Sequence, residues 1–200
     1  MTAALQLPSL LDEKQDWTVD DLASLPKDLR YELIDGRLVV SPSPTPIHQD
    51  LAVRLLLMLE AGCPPELMVV TDLSVRIDAS REPRPDVVVI DRKLVSVSPV
   101  PVEAAVLAIE VISPDSTIRD LHSKPRMLAK AGLPHYWVLD PFHSDGIVLA
   151  VFRLGPDEQY SLVTETHQAF TTDVPFPVTV DLPALNDRRR MLLADTPPER

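Results

Sequence analysis

The sequence predicts an α/β or α+β domain built on a central mixed β-sheet with two principal helices. Short runs rich in branched residues recur along the chain, LMVVTDLSVRI, RPDVVVI, VLAIEVI, HYWVLDP and IVLAVFRL, and each reads as a strand. Two stretches, 45–60 ahead of these runs and 123–131 among them, carry helix signals at both ends. A chain of 200 residues that is 45% hydrophobic and 24% charged suits one well-buried core. We therefore expect an N-terminal arm over 1–30, one domain over 31–180, and a polar tail over 181–200 that is partly mobile.

The elements follow in order. WTVDDLASLP holds a short helix that Pro26 stops. YELIDGRLVV is a hairpin around Asp35-Gly36, a pair that accepts the left-handed conformations of a tight turn. SPSPTP is a stiff connector, because each proline pushes the residue before it toward extended geometry. Thr45 then caps a helix that has Pro46 at its first position and runs to about Glu60. Its apolar side, Leu51, Leu55 and Leu59 with Val53, Leu56 and Leu57, is broad. Gly62-Cys63-Pro64-Pro65 ends it. LMVVTDLSVRI is one strand with a bulge near Asp72, and RPDVVVI and VLAIEVI are two more, joined by a Pro-rich surface loop. A helix over Ser123–Ala131 stops at Gly132, which suits a left-handed cap. HYWVLDP is a strand, and IVLAVFRL and QYSLVTET pair across Gly155-Pro156.

Charge and composition exclude some functions. No run approaches 18 apolar residues, so no membrane span is expected. The start of the chain lacks the basic segment of a signal peptide. A lone Cys63 allows no internal disulfide, and no Cys/His cluster has zinc spacing. A reducing, cytoplasmic setting fits these features. The net charge of −11 repels a polyanion, so nucleic-acid binding would need a local basic surface. Arg76, Arg81, Arg84, Arg92 and Lys93 form one such stretch and Arg188, Arg189 and Arg190 another, although charge runs are more often solvated faces.

The buried carboxylates carry the chemistry. On a strand, Val106, Ala108, Glu110 and Ile112 share one face, and both faces are apolar except at Glu110. A lone carboxylate there needs a cation or a raised pKa. Asp86 poses the same problem at the entrance of DVVVI. On neighbouring strands the two would converge at one end of the sheet, offering hard oxygen ligands to Mg²⁺. The plainer readings are that Glu110 pairs with Arg119 or Arg126 and that Asp86 bonds its own turn. Lys124 stands among only five lysines against fourteen arginines. It falls in the first turn of a helix, against the dipole, which hints at a task elsewhere. Otherwise it is a solvated lysine facing Asp120. Glu32 lies in an apolar strand, and His48 lies in a first helical turn whose dipole would lower an imidazole pKa. The remaining histidines share no spacing and read as structural.

Three blocks in order, YELIDGRLVVSPSPTPIHQDLAVRLL, RPDVVVI and IEVISPDSTIRDLHSKPRMLAKAGLPHYWVLDP, resemble the Uma-type (DUF820-like) family of restriction-endonuclease-like proteins. That family lies in the PD-(D/E)XK nuclease superfamily, and the likeness spans about residues 30–155. It implies a restriction-endonuclease-like fold, with a mixed central sheet flanked by helices, and a metal-dependent endonuclease acting on DNA with Mg²⁺ or Mn²⁺. It further implies Asp86, Glu110 and the Val111 carbonyl as metal ligands, with Lys124, Glu32 and His48 completing the catalytic set. A homodimer would supply two sites for two strands. The sequence departs from the pattern twice. Ile112 stands where the superfamily motif has its lysine, a role that in this family passes to Lys124. Leu128 stands where the family commonly has a tyrosine. A non-catalytic binding or regulatory protein on the same fold is the alternative.

Overall fold

The computed structural model describes residues 14–26, 29–41, 43–114 and 119–194. The arm expected over 1–30 therefore falls largely outside the described residues. Its described part contains the short helix α1 (Val19–Leu22), which ends before Pro26. Strands β1 (Tyr31–Ile34) and β2 (Arg37–Val40) form the hairpin read from the sequence. Asp35 and Gly36 both take positive φ, +48° and +76°, the pairing that matches a tight turn to strand twist. The hairpin stands apart from the main sheet. It is fastened sideways, with Leu33 donating to the Glu82 carbonyl at 3.0 Å and Glu82 donating back at 2.8 Å.

Helix α2 (Pro46–Glu60) begins as its cap predicts, with the Thr45 hydroxyl accepting from the His48 N–H at 3.4 Å. The buried stripe is narrower than the apolar pattern suggests. Leu51, Leu55 and Leu59 are enclosed, each contributing on the order of 2 kcal/mol by burial, whereas Val53 and Leu57 are exposed.

The expected single strand over LMVVTDLSVRI is two, β3 (Leu67–Thr71) and β4 (Val75–Arg76). Asp72 breaks it, with φ at +56°. After β5 (Val87–Asp91), the segment expected to be a surface loop is tethered to the core. Val100 and Val102 are buried there, and β6 (Val100–Pro101) pairs in parallel with β4.

Strand β7 (Ala105–Val111) leads to a wide π-helical turn over Arg119–Ser123, which runs into α3 (Lys124–Lys130). Gly132 caps α3 at φ +83°. Strands β8 (His135–Asp140), β9 (Val148–Leu154) and β10 (Tyr160–Thr166) follow, the last two joined across 155–159. Two elements had no sequence reading, the ribbon strands β11 (Phe170–Thr172) and β12 (Val178–Val180). Most of the expected polar tail is helix α4 (Leu182–Ala194), and 195–200 lie outside the described residues. Leu182 and Leu185 bury on one side of it, and Arg188 reaches Asp50 of α2, so the charged sequence is docked.

Six strands make the central sheet in the order β10-β9-β8-β7-β5-β3. It is mixed, because β7 and β8 are parallel while the other neighbours are antiparallel. Alternation divides the core. Val87, Val89, Leu107, Ile109, Val111, Trp137 and Leu139 pack toward α2 and α4. Val88, Ile90, Ala108, Tyr136 and Val138 pack toward Leu128 of α3. Glu110 follows its even-numbered neighbours to the α3 face. Among the described residues, no helix is long and apolar enough to cross a membrane.

Candidate active site

The parallel pairing of β7 with β8 obliges the chain between them to cross over the sheet, and that crossover carries α3. Lys124 consequently lies above Glu110. Its ammonium is 2.8 Å from Glu110 Oε1, 2.7 Å from Glu32 Oε1 and 3.4 Å from Asp120 Oδ1. All four side chains are buried: Lys124 is 3% exposed, Glu110 2%, Asp120 1% and Glu32 6%. The reading of a solvated lysine gives way to this cluster, and among the described side chains Glu110 pairs with Lys124 rather than with Arg126; the Arg119 side chain lies outside them. The helix dipole is not what places Lys124 either, since the π-helical turn precedes it; the carboxylates hold it. Glu32 is held in turn by the Arg84 backbone N–H, which donates to its Oε1 at 2.8 Å. The hairpin's attachment to residues 82–84 therefore delivers that carboxylate.

Asp86 occupies the neighbouring position, just before β5. Its Oδ2 accepts from the Val111 N–H at 2.9 Å and lies 3.3 Å from His48 Nε2. The same nitrogen is 2.8 Å from the Val111 carbonyl. Both neighbours are acceptors, so His48 Nε2 carries a proton and donates. Thus His48 comes round the sheet end from α2, while Glu110 and Lys124 meet on the α3 face. The five residues read from the sequence, Asp86, Glu110, Lys124, Glu32 and His48, all line one cavity of about 410 Å³.

The electrostatics reflect an excess of carboxylate. Burial pushes the Glu110 pKa well up; Lys124 opposes this, and Asp120, Asp86 and Glu32 add to it. Burial alone would pull Lys124 down, but Glu110, Glu32 and Asp120 raise it well above its usual value, so it stays charged. Burial also works against Asp86, yet His48, the Val111 N–H and Lys124 outweigh it and hold the carboxyl low. The lowered pKa expected for His48 is corrected. Burial does act downward, but Asp86 and the Val111 carbonyl prevail and raise it.

Sequence reasoning underrated three residues. Asp120 belongs to the cluster, and its spacing of four from Lys124 was the available signal. Arg30 lies 2.9 Å from Asp72 and 3.5 Å from Asp86, and Arg84 lies 2.9 Å from Asp72. The sequence marked Asp72 only as a bulge and not as the partner of both arginines. The basic surface expected over 76–93 is largely neutralised. Arg76 binds Glu82, Arg81 binds Asp78 and Arg84 binds Asp72. In the second run, Arg188 binds Asp50 and Arg190 binds Asp187. Leu128, at the family's tyrosine position, is fully buried in the core.

The donor set suits a hard divalent cation in kind, being carboxylate and carbonyl oxygen. Asp86 Oδ2 and the Val111 carbonyl already face one common point, the His48 N–H, and Glu110, which precedes Val111 in sequence, lines the same cavity as Asp86. Among the described residues, no three histidine, cysteine or carboxylate side chains are gathered as ligands; the carboxylates converge on Lys124 instead.

No curated protein matches the chain. A crystal structure from Anabaena variabilis, described as a "putative nuclease belonging to DUF820", has a similar fold, with a TM-score of 0.67 at 17% identity. The match covers 85% of this chain and 97% of that one. A family model, Uma2, described as "Putative restriction endonuclease", matches residues 18–184. With that span and the shared fold, the chain belongs to the Uma2 family of restriction-endonuclease-like proteins.

Proposed function

We propose that this protein is a metal-dependent endonuclease that hydrolyses phosphodiester bonds, with DNA as its substrate. One arrangement carries the reading: a buried lysine ammonium 2.8 Å from Glu110, in the cavity that also holds Asp86. Buried charges are costly unless paired, and Glu32 and Glu110 both converge on the one Lys124 ammonium, an arrangement that a further cation beside Asp86 would relieve.

Asp86, Glu110 and the Val111 carbonyl would hold Mg²⁺ or Mn²⁺, which when bound supplies Lewis acidity at a phosphoryl oxygen. Lys124 orients the attacking water or stabilises charge growing on the phosphoryl oxygens. Glu32, which shares Lys124 with Glu110, takes the proton of that water or adds a ligand oxygen. His48 Nε2–H donates to phosphate or relays a proton. In a homodimer, two such sites would cut two strands, a state that sedimentation would reveal.

The alternative, a binding or regulatory protein on the same fold, is favoured by the buried Leu128 and the neutralised arginines. One assay decides between them. Wild type, Asp86→Ala, Glu110→Ala and Lys124→Ala are compared on single-stranded DNA, duplex DNA and RNA, with Mg²⁺, Mn²⁺ or EDTA. We expect metal-dependent cleavage by wild type and at least a hundredfold loss in each variant, in line with the loss of a charge-stabilising group (~10²–10³). No metal-dependent difference among the four on any substrate would sink the enzyme reading.

A further inference from the structure

The cavity around Glu110 is also lined by apolar side chains. Ile47 and Leu51 of α2, Ile112, Pro141, Phe142 and Leu193 of α4 line it together with the charged cluster. Phe142 differs from the other aromatic residues. Of the four Phe, three Tyr and two Trp side chains, it alone is exposed, at 55%, while the rest are buried or half-buried. A single exposed apolar residue needs no explanation in general. This one lies at the cavity that holds the candidate active site, just past the end of β8, the parallel neighbour of the strand that carries Glu110. Its backbone is fixed by Asp140, whose Oδ1 accepts the Phe142 N–H at 2.8 Å, and Pro141 precedes it.

The cations around the cavity are sparse. Arg30 and Arg84 line it but are engaged by Asp72, with Arg30 also near Asp86. Arg189 lines it from α4, and among the described residues no carboxylate pairs with it. A duplex is bound largely by neutralising many phosphates along a continuous basic face. Arg76, Arg81, Arg84, Arg188 and Arg190 are spent on Glu82, Asp78, Asp72, Asp50 and Asp187, and Arg92 and Lys93 do not line the cavity. A single strand needs less. It is held by a short cationic groove together with bases stacked on aromatic rings, and that stacking tolerates any sequence because every base has a π-face.

Resting on the nuclease reading, we propose that the site takes a single strand of polynucleotide, with one base stacked on Phe142 and an adjoining phosphate at Arg189. The scissile phosphate then enters the recess beside Glu110 and Lys124. An intact duplex, whose bases are already stacked, offers Phe142 no face.

Binding and cleavage are read separately. Fluorescence anisotropy with Ca²⁺ in place of Mg²⁺ follows a labelled oligothymidine, its ribose counterpart and a duplex of equal length, with gels confirming intact strands. Wild type is expected to bind a single strand, deoxyribose or ribose, at least tenfold tighter than the duplex. Phe142→Ala weakens single-strand binding by about tenfold, the scale of one lost base–aromatic stack, and Phe142→Trp restores it. Thermal melting confirms that each variant is folded, as its exposed position leads one to expect. Equal or tighter duplex binding, no measurable single-strand binding, or a Phe142→Ala protein that binds single strands like wild type overturns the proposal. If the strand binds through Phe142 but nothing is cut with Mg²⁺ or Mn²⁺, the nuclease reading fails and the single-strand site stands.

Discussion

Lys124 is both a structural and a candidate catalytic group, and the two roles separate experimentally. Replacing it with Met keeps the volume but strips the counter-charge from Glu32, Glu110 and Asp120. Breaking a buried ion pair on one side costs about 3–5 kcal/mol, which urea denaturation of Lys124→Met would register. The double variant Lys124→Met/Glu110→Gln regains part of that loss, because a neutral amide replaces an unpaired charge. Cleavage is read on Lys124→Met alone, at a temperature where melting shows it folded: we expect it to stay inactive there, and near wild-type cleavage would make the lysine purely structural. Leu128 makes a complementary case. It lies fully buried where the resemblance noted in the sequence implies a tyrosine, so Leu128→Tyr inserts a larger, polar-tipped side chain into a filled core. We expect a destabilisation of about 1–3 kcal/mol in urea and no gain in cleavage. A more active Leu128→Tyr would show that the substitution had cost this chain a catalytic group.

Helix α4 closes the cavity from the side of Arg189 and Leu193, and its hold on α2 depends on Arg188 and Asp50. The Arg188 guanidinium, opposed only in part by burial, keeps the Asp50 carboxyl below its ordinary value of 3.8. The sign follows from linkage. A carboxyl whose folded pKa is depressed adds stability that is fully present above the unfolded value and fades as pH falls through the folded one. Arg188→Gln should therefore lower stability at neutral pH and converge on wild type in acid below about pH 3.8. Parallel melting curves at all pH values would show that the pair does not anchor α4.

The same helix marks where the elements were and were not legible. Thr45-Pro46, Asp35-Gly36 and Gly132 announced themselves because capping and turn chemistry are local. Helix α4 did not, since its few buried leucines sit among charges whose partner, Asp50, lies in a distant helix. Val100 and Val102 were likewise hidden within a Pro-rich stretch, and their burial depends on pairing with β4.

Over the whole molecule, the legible part of the site was its expensive part. Glu110 and Asp86 stood out as carboxylates in apolar runs, and Lys124 as a lysine in an arginine-rich chain. What could not be read was their mutual geometry. It follows from the parallel pairing of β7 with β8, the crossover through α3 and the sideways attachment of the hairpin. The direction of the His48 pKa shift was lost for the same reason. Local helix position argued for a fall, but contact with Asp86 and Val111 raises it. The basic surface failed in the opposite way, as sequence shows the arginines of 76–93 but not the carboxylates that fold against them.

The pairing of Val111 with Leu139 has a consequence in time as well as space. The five residues read from the sequence as catalytic all precede residue 125, so a chain emerging from the ribosome contains them long before it is complete. Yet the strand that bears Glu110 gains its neighbour on that side only when His135–Asp140 follows, and α4, which bounds the cavity, comes later still. As the active site proposed above, the cavity is completed only after both His135–Asp140 and Leu182–Ala194 have been made, so order of synthesis sets the earliest point at which it can form.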